Sequence, residues 1–133
     1  MVKRFKNTRG FTLLELMVVI SVITILVSIA VPTYSRAIIR AKEAVLRDNL
    51  FTLRTLINEY TLDKQRAPQS LEDLVTAGYL KTIPEDPFTN SNQTWVVEQE
   101  DVYMSADQTQ PGISDVRSGS DQTGTDGRPY NTW

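Results

Sequence analysis

A chain of 133 residues, 41% hydrophobic and 23% charged, has room for one domain. With no Cys and no His it excludes disulfides, thiol nucleophiles, zinc–thiolate sites and imidazole acid–base chemistry, and no spacing of carboxylates, Lys, Tyr or Ser singles out a catalytic group. The formal net charge of −2 hides four unlike pieces: residues 1–10 carry +4, 11–32 carry −1, 33–66 carry +3 and 67–133 carry −8. The absent chemistries argue against an enzyme, and an acidic second half, preceded by basic residues interleaved with acids, argues against a nucleic-acid partner.

The chain opens on a short basic segment, MVKRFKNTRG. Phe11 to Val31 follows, twenty-one residues whose single charge is Glu15. As a helix this stretch spans ~31 Å, about the thickness of a bilayer hydrocarbon core. The basic flank keeps the N-terminus cytoplasmic and sends the C-terminal bulk across the membrane. A secretory signal would have an apolar region of roughly 7–15 residues and a small-residue cleavage site. Ala30-Val31-Pro32 puts a proline there instead. A plain one-pass anchor accounts for the length but not for Glu15. A carboxylate in a membrane helix costs about 3 kcal/mol and calls for a partner. No basic residue lies within the stretch, so the partner comes from another chain or from an amine made by processing.

Gly10-Phe11-Thr12-Leu13-Leu14-Glu15 resembles the leader junction of type IV pilins and pseudopilins. The resemblance implies cleavage between Gly10 and Phe11 by a membrane prepilin peptidase, N-methylation of Phe11, and pairing of Glu15 with an N-terminal amine. Pro32 sits where that family places a helix-kinking proline. The implied organisation is a cleaved leader at 1–10, a transmembrane and filament-core helix at 11–32, and a head at 33–133 that includes an amphipathic helix at 33–63.

Past Pro32, the residues Ile39, Leu46, Leu50, Leu53, Ile57 and Tyr60 recur in steps of 7, 4, 3, 4 and 3, a helical stripe facing a small core. Arg36, Arg40, Glu43, Arg47, Arg54 and Glu59 are expected on the remaining surface. The two halves together predict one helix from about Phe11 to Asp63, ~80 Å long, with a kink at Pro32. Residues 64–69 form a loop. Ser70 then precedes Leu71-Glu72-Asp73, and Gly78 provides a stop, so residues 71–77 form a short helix. Ile83-Pro84-Glu85-Asp86-Pro87 bars a central strand. Trp95–Val97 and Val102–Met104 are the strand candidates, joined as a hairpin through Glu98–Asp101. The expected class is α+β: a long N-terminal helix packed on a small antiparallel sheet, with a C-terminal loop.

This half narrows the resemblance towards the major pseudopilins of type II secretion. The similar segments are Tyr60-x-Leu62-Asp63 with Pro68, then Gly78-Tyr79-Leu80, Ile83-Pro84 and Asp86-Pro87-Phe88, and the ending Asn131-Thr132-Trp133. Ala67, Phe88 and Thr89 depart from that family's tyrosine, tryptophan and glycine.

Residues 105–133 are rich in Asp, Ser, Thr, Gly and Gln, a composition that favours a mobile tail. The alternative is a calcium loop, since Ca²⁺ takes roughly six to eight oxygens on a glycine-rich backbone. Residues 118–127 offer such oxygens without the EF-hand spacing. The resemblance implies calcium bound by Ser118 through its carbonyl, Asp121 and Asp126. The family's adjacent second aspartate is replaced by Gly127.

The function implied is a structural subunit of a periplasmic filament that pushes folded proteins through an outer-membrane secretin. Its partners would be further copies of itself, inner-membrane lipid, prepilin peptidase, an assembly platform, a secretion ATPase, minor pseudopilins and the secretin. Two alternatives are a type IV pilin for adhesion, motility or DNA uptake, and a membrane-tethered binding domain that keeps its apolar segment uncut.

Overall fold

The computed structural model describes residues 10–100, 106 and 111–133. Leader residues 1–9 and the expected strand Val102–Met104 lie outside them. Four regular elements follow in order: α1 (Leu13–Lys64), α2 (Leu71–Thr76), β1 (Val96–Glu100) and β2 (Gly112–Arg117), with a 3-10 turn at Tyr130–Thr132. The chain divides into two units, one ending at Ile38 and one from Ile39 to Trp133.

In the first unit Thr12 caps α1: its Oγ1 accepts the Glu15 N–H at 3.1 Å and its carbonyl accepts the Leu16 N–H at 3.1 Å. Thr-x-x-Glu is a capping-box spacing, so the residues that carry the leader resemblance also start the helix. Every side chain from Phe11 to Ile38 is exposed, and Pro32 lies inside the continuous helix. The hydroxyls of Ser21, Thr24 and Ser28 each donate at 2.7 Å to the carbonyl four residues back. Such internal satisfaction suits a helix surface that meets no water. α1 is the one helix among the described residues long and apolar enough to cross a membrane.

In the second unit the buried face of α1 is Glu43, Leu46, Leu50, Leu53, Ile57 and Tyr60. Ile39 is 41% exposed, so the stripe begins instead at Glu43. Steps of 3, 4, 3, 4 and 3 residues from Glu43 to Tyr60 make this one unbroken face, and its first position is a carboxylate that is 3% exposed. The expectation that Glu43 lies on the solvated surface is therefore corrected. α1 ends where Gln65 turns left-handed at φ 54°, with Pro68 just beyond.

α2 is fixed at its start by Asp73, whose carboxylate accepts the N–H groups of Gln69 at 2.8 Å and Ser70 at 3.3 Å. At its end, Gly78 adopts φ +86° and the Tyr79 N–H returns to the Leu74 carbonyl at 2.9 Å. Leu71 and Leu74 join the core of Leu46, Leu50, Leu53, Ile57, Tyr60, Trp95, Ile113, Val116 and Tyr130. Each fully buried large apolar side chain contributes about 1.5–3 kcal/mol.

The sheet corrects the expected hairpin. β1 runs through Glu98–Glu100, which had been expected to form the connection, and pairs antiparallel with β2. Glu98 faces Asp115 but Gln99 faces Ile113, so Ser114 is the extra residue of a β-bulge. The bulge turns both Ile113 and Val116 inward although they are three residues apart, and they are 1% and 0% exposed. A second correction concerns residues 111–133, which composition had assigned to a mobile tail. They contain β2, the 3-10 turn and Tyr130, only 1% exposed.

Candidate functional site

Two regions carry the residues that the sequence singles out. At the start of the chain, Gly10, Phe11 and Thr12 precede the first helical residue and are exposed. Phe11 is 82% accessible. The Gly10–Phe11 peptide therefore lies outside the helical hydrogen-bond ladder, while Glu15 sits in the first turn of α1. A carboxylate at that end also meets the positive end of the helix dipole.

The second region is built around the end of the chain. Gln122 and Tyr130 close a turn through a backbone bond of 2.9 Å, and Gly124 donates to the Arg128 carbonyl at 2.8 Å. A Cβ at position 124 would lie 2.8 Å from the Trp133 ring and 3.0 Å from that of Tyr130, so glycine lets the loop fold over its own aromatics. Tyr130 stacks on Phe88 with centroids 3.8 Å apart and meets Trp133 edge-on at 5.0 Å. The Arg47 guanidinium lies 4.6 Å above the Trp133 ring.

Glu43 reaches this loop from α1. Its Oε1 accepts the Thr125 N–H at 2.7 Å and the Tyr130 hydroxyl at 2.9 Å, and its Oε2 accepts the Thr125 hydroxyl at 2.7 Å. Burial pushes its pKa up, but the bonds from Thr125 and Tyr130 and the charge of Arg47 outweigh this and hold it below the ordinary carboxylate value. Burial and the bond to Glu43 push the Tyr130 hydroxyl up to about 12. Arg54, also expected on the surface, is half-buried and pins β2 and the chain end together. Its guanidinium donates to Asp115 at 2.6 Å, to the Val116 carbonyl at 3.0 Å and to the Trp133 carbonyl at 2.6 Å.

Of the three residues suggested for calcium, Asp126 is paired within the chain and the Ser118 side chain, though not its carbonyl, is hydrogen-bonded. The Ser118 hydroxyl donates to the fully buried Asp86 carboxylate and accepts the Ser120 N–H at 3.2 Å. Asp86 also accepts the Phe88 N–H at 2.9 Å, closing an Asx turn over Pro87. The Asp126 carboxylate receives the Arg128 N–H and Nε at 3.0 Å each and its Nη2 at 2.9 Å. These bonds, the backbone one foremost, hold its pKa below the usual range despite partial desolvation. Asp121 is exposed. Among the described residues no group of three or more acidic side chains could hold a metal ion. With Asp126 paired to Arg128, the suggested donors come down to the Asp121 carboxylate and the Ser118 carbonyl, well short of the roughly six to eight oxygens that calcium takes, so the set does not fit calcium.

Sequence reasoning missed Glu43 and Asp86. Glu43 was legible by position, four residues past Ile39 and three before Leu46. Asp86 was legible as an Asp-Pro turn signal.

Comparison with known proteins bears on the start of the chain and on its kinship as a whole. The prokaryotic N-terminal methylation motif matches residues 5–31. The type II secretion system core protein G of Klebsiella michiganensis is 30% identical over 131 residues, covering 84% of this chain and 92% of that one. The core protein G of Vibrio cholerae is 33% identical over 106 residues, 68% and 73% of the two chains. A competence protein, ComGC of Halalkalibacterium halodurans, is 32% identical over 81 residues, 61% of this chain and 79% of its own. No solved structure matches. With the methylation motif at its start, an α+β head behind a long apolar helix and near-full-length similarity to core protein G, the chain belongs to the major pseudopilins of type II secretion, within the type IV pilin-like family.

Proposed function

We propose that the chain is the repeating subunit of a short periplasmic filament whose growth pushes folded proteins through an outer-membrane secretin. The observation that carries this is the first unit. It is a surface exposed at every residue from Phe11 to Ile38 and helical from Leu13, largely apolar through Val31, with one carboxylate in its first turn. Such a surface is covered by lipid before assembly and by other copies after it.

Prepilin peptidase cuts between Gly10 and Phe11, and the new amine of Phe11 is N-methylated. Glu15 of one subunit pairs with the Phe11 amine of its neighbour as the helix leaves the inner membrane. Each charge is costly alone in lipid, whereas the pair largely neutralises itself. The N-terminus faces the cytoplasm and the head the periplasm, as the +4 of residues 1–10 supports. The chain performs no catalysis. A secretion ATPase supplies the energy through an inner-membrane platform, and minor pseudopilins and the secretin are the further partners.

The similarity to a competence protein favours a second reading, a pilin-like subunit for adhesion, motility or DNA uptake. Both readings require processing. Intact-mass measurement of the protein from membranes with active prepilin peptidase should give Phe11–Trp133 plus one methyl group. Uncleaved Met1–Trp133 would overturn both readings and leave a membrane-tethered domain.

A further inference from the structure

The loop at the end of the head is held by bonds within the chain, and one of its two carboxylates, Asp126, is already paired with Arg128. Glu43, on α1, accepts three hydrogen bonds from residues 125 and 130, so a single helix side chain holds the Gly124–Arg128 turn and the residue that follows it closely, Tyr130. Inside the turn, Arg128 brings a positive charge within 2.9 Å of Asp126. Tyr130, one of Glu43's two partners, is in turn stacked on Phe88 and meets Trp133 edge-on.

A buried carboxylate is tolerated only when its oxygens are occupied. Here both oxygens are, and by groups that belong to the loop alone. If the loop departed, Glu43 would be left buried among Leu46, Leu50 and their neighbours, or would have to be rehydrated. This couples loop order to the core rather than to an ion.

We propose that Glu43 is the anchor of the C-terminal loop and that Arg128 is its internal counter-cation, so that this pseudopilin holds its loop without calcium. The difference from the family expectation follows from residues in this chain. Where the resemblance places a second aspartate the chain has Gly127, followed by Arg128. An arginine there supplies the positive charge and excludes a second one by repulsion.

Hydrogen–deuterium exchange of the full processed chain in detergent tests this by following peptides that cover residues 118–133. Wild-type protection should be the same in EDTA and in excess CaCl₂. Glu43→Gln should speed exchange in those peptides at least about tenfold, with no rescue by CaCl₂, while α2 stays protected. Thr125→Val removes only one of the three bonds and keeps the core intact, so it should give a smaller loosening confined to the same peptides. The wild-type arm needs no variant at all. Wild-type protection that collapses in EDTA and returns with CaCl₂ would overturn the proposal, as would a Glu43→Gln loop protected like the wild type.

Discussion

Asp86→Ala should be among the most damaging single substitutions in the head, because Asp86 is fully buried and joins two distant segments. Its carboxylate receives the Ser118 hydroxyl and, at 2.9 Å, the Phe88 N–H. Alanine leaves both donors without a partner. Ser118 is itself 0% exposed, so its hydroxyl cannot turn to water, and a stranded buried donor costs about 1–3 kcal/mol. The Phe88 N–H is less deeply placed and falls near the lower end of that range. Together the loss is ~3 kcal/mol, a large share of the roughly 5–15 kcal/mol that holds a domain. In a unit the size of Ile39–Trp133 each kcal/mol moves the melting midpoint by about 4–8 °C, so the shift should exceed roughly 10 °C. The assay is thermal or urea unfolding of the full chain in detergent, followed by tryptophan fluorescence. Asp86→Ala, Ser118→Ala and the double variant complete a cycle, and the double variant should be less destabilised than the two singles summed by at least ~1 kcal/mol. A single-variant loss below ~1 kcal/mol, or simple additivity, would refute the reasoning.

Further predictions concern the core and the loop. Leu53 is 0% exposed on the α1 stripe, and Leu53→Ala should cost about 2–5 kcal/mol in the same unfolding assay. Acid should loosen the loop before the rest of the head. Glu43 is held below its ordinary value of 4.5, so its stabilising contribution is complete above that value and is lost as pH falls through the depressed one. A pH series of unfolding midpoints checks this; the same descent in Glu43→Gln as in wild type would exclude Glu43 as its source.

The parts legible in the sequence were those governed by local periodicity or by a motif that is also a local structural device. Leu46 to Tyr60 repeats at helical spacing and packs as that spacing requires. Thr12 and Glu15, read as a leader motif, also start α1 through the Thr12 side chain. What was not legible depended on exceptions to period. β2 escaped notice because the bulge at Ser114 places Ile113 and Val116 on one face three residues apart, which alternation does not find. Glu43 was assigned to the surface by residue type, although its place on the stripe buried it. Tyr130 stands in a segment of Asp, Gly and Thr, and its burial comes from Phe88 and Glu43, which lie 42 and 87 residues away in sequence. Polar composition indicated disorder there, whereas one aromatic ring and one distant carboxylate are enough to fix the turn.

The central claim is that the exposed N-terminal helix is an assembly surface in which Glu15 serves subunit pairing. Glu15→Leu tests it most directly. Leucine removes the about 3 kcal/mol cost of a lone carboxylate in lipid and leaves nothing to recognise the Phe11 amine. In cells carrying the secretion machinery, the variant should reach the membrane and be processed at wild-type level, yet yield no sheared or cross-linked filaments. Filaments at wild-type yield would contradict the account.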